Sequence, residues 1–134
     1  MSLKSQFQSL SLALQDLHRS LLMLEAKQLE LDTGRKITPY ELLHASLHDP
    51  NMAWLRQMSS LIVSIDTIVD ETTNLSGAES HRVASQVLTL LEKPAGSADD
   101  GFWRRYSSYL SENPEIIMKH SKVKDLVSSM RPKT

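Results

Sequence analysis

The stretch LKSQFQSLSLALQDLHRSLLMLEAKQLEL, residues 3–31, decides the fold. In it Leu3, Phe7, Leu10, Leu14, Leu17, Leu21, Leu24 and Leu31 fall at alternating steps of four and three, with Gln28 in the one polar slot. That is an a/d seam over four heptads, the pattern of a helix packed along its whole length. Leu12, Leu22 and Leu29 lie outside the seam and widen the apolar face, which suits a helix inside a bundle. We therefore expect a helix over 5–31, roughly 40 Å long, stopped by Gly34 after Asp32-Thr33. Leu12, Leu22 and Leu29 sit on different sides of the seam, so a small bundle covers them together only with difficulty. Soluble monomers rarely leave such a surface bare, and two-fold pairing is the commonest way to hide one. A homodimer is the expected state.

Downstream, Thr38-Pro39-Tyr40-Glu41 reads as a cap, a first-turn proline and a capping box, opening a short helix over 39–48. Asp49-Pro50 ends it and begins a helix over 50–72. There Trp54, Leu55, Met58, Leu61, Ile62, Ile65, Ile68 and Val69 share one face, with Asp66 at its edge. Ser76-Gly77-Ala78-Glu79 is a second capping box for a helix over 77–93, with Val83, Val87, Leu90 and Leu91 inward. Residues 94–101 form a loop, and Asp100 or Gly101 caps the helix after it. That last helix, over 102–130, is broken at Asn113-Pro114 and places Ile116, His120, Val123, Val127 and Met130 on one line. Residues 131–134 read as a frayed end. The expected architecture is all-α: an antiparallel bundle of four main helices, one short crossing helix and a broken last helix, in a single domain spanning 1–134.

Composition agrees. The chain has 134 residues, 40% of them hydrophobic, and only four Gly and five Pro, too few for a fold of many tight turns. It has no Cys, which excludes disulfides, thiolate metal sites and thiol nucleophiles. Net charge is −1, against non-specific nucleic-acid binding. Residues 1–100 carry 8 Lys/Arg and 13 Asp/Glu, and residues 101–134 carry 7 and 3. A basic tail on an acidic body can hint at an anionic partner; more often it reflects complementarity within the fold or solvated helix faces. No secretory signal pattern and no membrane-spanning apolar run is visible, so a cytoplasmic protein is expected.

Few residues form a chemical constellation. His44 and His48, four apart with Glu41 one turn earlier, have the spacing of a helical metal pair. A third ligand would have to come from another helix, with His18 and Glu25 as candidates. The alternative is two histidines favoured by the negative end of a helix dipole. We expect no metal there, no cofactor and no catalytic residue. Glu41-Leu42-Leu43-His44 is a single copy of a pair that di-iron bundles need twice. His120 falls in an apolar seam and is expected to hydrogen-bond a neighbour. Asp66 needs a partner from another helix, with Arg19, Arg35, Arg82 or a second copy's Arg56 as candidates. Phe102-Trp103-Arg104-Arg105-Tyr106 interleaves aromatics and arginines. Such a cluster can stack bases, grip phosphates or meet a peptide, but Phe102, Tyr106 and Tyr109 have the spacing of a core face, which leaves Arg104 and Arg105 pointing outward. Trp54, Arg56, Asp66, Trp103, Arg104, Arg105 and His120 are the interaction candidates.

Glu41-Leu42-Leu43, the run from Asp49-Pro50 through Trp54-Leu55-Arg56 and Leu61-Ile62 to Ile65-Asp66, and Tyr109-Leu110 through Asn113-Pro114-Glu115 to His120 together resemble a group of small bacterial all-helical proteins without assigned function. Met58 stands where that pattern has Leu, and His44 and His48 are not part of it. The resemblance implies a helical bundle and no known activity. The function expected is that of a non-enzymatic interaction or regulatory protein. The alternative is a bundle that binds a small molecule or metal.

Overall fold

A computed structural model describes residues 3–71, 76–92 and 102–130. Among them are six α-helices and one 3-10 turn, with no strand. In chain order these are α1 (Leu3–Thr33), α2 (Pro39–His48), the 3-10 turn Pro50–Met52, α3 (Ala53–Glu71), α4 (Gly77–Leu91), α5 (Phe102–Glu112) and α6 (Pro114–Met130). The chain is all-helical, as its periodicity predicts. The expected helix ends at 72 and 93, the loop 94–101, the cap at Asp100 or Gly101 and the end 131–134 lie outside the described residues.

Helix α1 is the axis. It packs against α3 and α6, while α4 and α5 close over α6 and α3. One apolar cluster joins Phe7, Leu10, Leu14, Leu17 and Leu21 of α1 to Met58, Ile62 and Ile65 of α3, Val83 and Val87 of α4, Tyr106 of α5 and Val123 and Val127 of α6. Burying each large aliphatic side chain contributes about 1.5–3 kcal/mol, which is what draws these stripes together. The inward faces of α3, α4 and α6 match their sequence periods, with Leu61, Ile68 and Leu90 half-buried at the margins.

The α1 seam departs from expectation at its C-terminal end. Leu24 is half-buried and Leu31 is 72% exposed, whereas Glu25 and Ala26 are buried. A straight α-helix has 3.6 residues per turn, not 3.5, so a heptad line drifts about 20° per repeat off the packed face. Of the three flanking leucines, Leu22 and Leu29 are half-buried and only Leu12 stands exposed. The bundle therefore covers more of the α1 flank than its width in sequence suggests.

Turns follow local chemistry. Gly34 takes φ +72°, where a side chain would be strained, and its N–H bonds the Glu30 carbonyl at 2.9 Å to close α1. At α2 the capping box forms in full: Thr38 Oγ1 accepts from the Glu41 N–H at 3.1 Å, and Glu41 Oε1 accepts from the Thr38 N–H at 3.2 Å. Ser76 caps α4 through the Glu79 N–H at 3.1 Å. Asn113 ends α5 with its N–H on the Tyr109 carbonyl, and its own carbonyl accepts from the Ile117 N–H in the first turn of α6.

Helix α2 differs from the rest in burying none of its residues. It meets only the 3-10 turn and the start of α3 closely. On the helical wheel its half-buried residues Glu41, Leu42, Ala45 and Ser46 form one side. Tyr40, Leu43 and Leu47 form the other and are 76%, 59% and 58% exposed. Leu43 and Leu47 therefore face away from the bundle, while Tyr40 and His44 border a cleft shared with Leu29 and Thr33 of α1.

Candidate functional site

The chemically densest point is Glu25, a carboxylate only 3% exposed on the buried line of α1. Burying such a group without partners costs several kcal/mol, so its neighbours decide what it can do. The Arg105 guanidinium of α5 donates Nη2 to Oε1 at 2.6 Å and to Oε2 at 2.7 Å. The Trp54 indole of α3 donates Nε1 to Oε1 at 3.2 Å. The Tyr109 side chain lies beside this carboxylate, and burial together with Glu25 pushes its pKa up to about 12, so its hydroxyl stays protonated at neutral pH. Trp54 stacks on Tyr109 at 6.2 Å and meets Phe102 edge-on at 5.3 Å. Beside this cluster lies a cavity of about 370 Å³, lined in part by Asp32, Arg105, Tyr109 and Glu112.

This cluster corrects one sequence expectation. Arg104 and Arg105 are both exposed, but the Arg105 guanidinium reaches back onto Glu25, a buried carboxylate on α1 that demands a donor there. Trp54 is a core residue, and Trp103 is half-buried with its ring 6.3 Å from Tyr106. Glu25 thus takes three hydrogen bonds from two residues, Arg105 of α5 and Trp54 of α3. The arrangement clasps α1, α3 and α5 together.

The other predicted residues are dispersed. Asp66 does receive a partner from another helix, but that partner is the Ser11 hydroxyl of α1 at 2.5 Å and none of the expected arginines. Ser11 is itself buried, and a hydroxyl meets a carboxylate there without burying a second charge. Arg56 is half-buried, with Nε on the Ser46 carbonyl at 3.1 Å and Nη2 on the Asp49 carbonyl at 3.0 Å. It thereby satisfies the open carbonyls at the end of α2 and fixes that helix to α3. His120 meets the Tyr106 hydroxyl through Nδ1 at 2.6 Å, as its place in the seam implies. Burial raises the Tyr106 pKa well above the usual tyrosine range.

His44 and His48 are exposed on α2 with ring centres 4.8 Å apart. Glu41 is drawn away from them by Arg35 at 2.8 Å and by Thr38, and these hydrogen bonds hold its pKa below the ordinary value. His18 is engaged with Ser59 Oγ at 2.9 Å. No group of three His, Asp or Glu poised for a metal occurs among the described residues. No helix there is long and apolar enough to cross a membrane.

His18 and His120 both have lowered pKa values. Burial is the main cause for each; Lys124 adds to it at His120, where Glu92 pulls the other way, and the Leu55 carbonyl opposes it at His18. In the unfolded chain these rings take up protons near pH 6.5, and the folded chain resists that uptake. Stability is therefore full above about pH 6.5 and falls as pH drops below it. Urea midpoints at about pH 7.5 and pH 5.5 are expected to fall for the wild type and to converge in His18→Gln/His120→Gln. An unchanged pH slope in that double variant counts against both histidines as its source.

With fold and site in view, known proteins offer no guide: no protein-family model, curated protein or solved structure matches the chain.

Proposed function

We propose that this chain is a non-enzymatic interaction or regulatory protein of the bacterial cytoplasm, a single antiparallel bundle of four main helices that works as a homodimer. The observation that carries this reading is α2, a helix that buries nothing and turns Tyr40, Leu43 and Leu47 to solvent. An apolar stripe gains nothing by facing water, and a contiguous one marks a surface awaiting a partner. Its spacing of three and four is that of a helix-pairing seam. The sequence resemblance to small bacterial helical proteins supports the setting, and the engagement of buried Glu25 by Arg105 and Trp54 supports a structural role for that carboxylate. The interface moves from the flank of α1 to α2, because Leu22 and Leu29 are half-buried against the bundle.

Sedimentation equilibrium in a chelator, over a range of micromolar concentrations, tests this. The mass is expected to rise from near 15.1 kDa toward twice that value. Leu43→Glu should hold it at the lower value while circular dichroism keeps the same helix content. A wild-type mass that stays near 15.1 kDa throughout rejects the apolar dimer. The alternative, a bundle that binds a small molecule, rests on the cavity of about 370 Å³ beside Glu25. Substitution of Glu112 rather than Leu43 would alter such binding.

A further inference from the structure

From the placement of His44 and His48 we infer that α2 carries half of a zinc site, completed by the same two histidines of a second copy. This rests on the α2 interface proposed above and adds the ligand that stabilises it. The two imidazoles stand one turn apart with ring centres 4.8 Å apart and planes inclined by 53°. Two imidazoles on one tetrahedral zinc, with Zn–N near 2.0–2.1 Å, have ring centres about 5 Å apart. The ring separation matches that of two imidazoles sharing one ion. Both rings are exposed, and neither is hydrogen-bonded to another described side chain in the way His18 and His120 are.

One chain supplies only these two nitrogens. No third His, Asp or Glu joins them among the described residues, and Glu41 is held by Arg35 and Thr38. A structural zinc site takes four ligands, so the site is incomplete without a second molecule. The second copy is the occupant its surroundings select. On the wheel His44 borders the stripe of Tyr40, Leu43 and Leu47, about 40° from Tyr40, and His48 follows about 40° further on. When two such stripes pair antiparallel about a two-fold axis, equivalent flanks face each other, and both histidine pairs fall on one side. Their position in the last turns of α2 adds the negative end of the helix dipole, which favours a cation.

Interface size explains why a metal is needed. The stripe offers three apolar side chains per chain, Tyr40, Leu43 and Leu47, far fewer than the roughly 20–30 residues a side of a stable interface. Apolar contact alone gives a weak dimer. A shared zinc that binds only the pair tightens it by mass action.

The test uses the untagged full-length chain and zinc chloride as the only added metal. Sedimentation equilibrium compares zinc, at one ion per two chains, with excess chelator, and calorimetry gives the stoichiometry. Zinc is expected to tighten the dimer roughly tenfold or more, with one ion bound per two chains. His44→Ala/His48→Ala should abolish the zinc effect and leave the mass in chelator as it was. Zinc bound at one ion per chain with no change in mass, or an undiminished response in the double histidine variant, overturns the inference. A dimer that ignores zinc but is broken by Leu43→Glu overturns the zinc site and leaves the α2 interface standing. A zinc-dependent dimer indifferent to Leu43→Glu does the reverse. Both variants change exposed positions, so circular dichroism should show the helix content unaltered.

Discussion

Replacing Arg105 with Met is expected to cost about 3 kcal/mol of unfolding free energy, because it strands a buried carboxylate. Glu25 is 3% exposed and takes two of its hydrogen bonds from the Arg105 guanidinium. The Trp54 indole remains, but it carries no charge to offset that of Glu25. The reverse change, Glu25→Met, should cost less, about 1–2 kcal/mol, because the Arg105 side chain is 45% exposed and can turn to water. Removing both, Glu25→Met with Arg105→Met, should recover part of the loss of Arg105→Met alone, since no uncompensated charge is left inside. Urea unfolding of the three variants checks the order. A double variant less stable than Arg105→Met alone would contradict the clasp.

The second large effect is along α1. Leu17→Ala is expected to lose about 3 kcal/mol, since Leu17 is wholly buried in the main cluster and its removal leaves a cavity. Leu31→Ala, the same chemical change on the same heptad line, should shift stability by no more than about 0.5 kcal/mol, because Leu31 stands in solvent. Equal losses at the two positions would mean that the seam runs the full length of the helix after all.

That contrast marks where sequence reasoning runs out. Helix starts at Thr38 and Ser76 are readable because a cap announces itself within three residues. The inward faces of α3, α4 and α6 are readable because each is too short for phase error to accumulate. Over the 31 residues of α1 the error does accumulate. From Phe7 to Glu25 is 18 residues, five whole turns at 3.6, so Glu25 stands on the same line as Phe7. Leu31 is rotated about 120° from that line. Strict 3.6 arithmetic on residues 7–31 therefore points to Glu25, whereas the heptad reading passes over it as a charge between leucines. The partners of Glu25 have no comparable signal, since Trp54 and Arg105 reach it only through the packing of α3 and α5. The outward stripe of α2 is hidden for the opposite reason. A 3–4 pattern of apolar residues states that a face will be covered, and does not say by what.

Because α2 contributes no buried side chain, the folding of the bundle places almost no demand on what its outer face is made of. The helix is secured at its two ends, by the Thr38–Glu41 box and by the Arg56 guanidinium. Tyr40, Leu43, His44, Leu47 and His48 can therefore be substituted without removing anything from the core, so the bundle is in physical terms a rigid body carrying a separable surface.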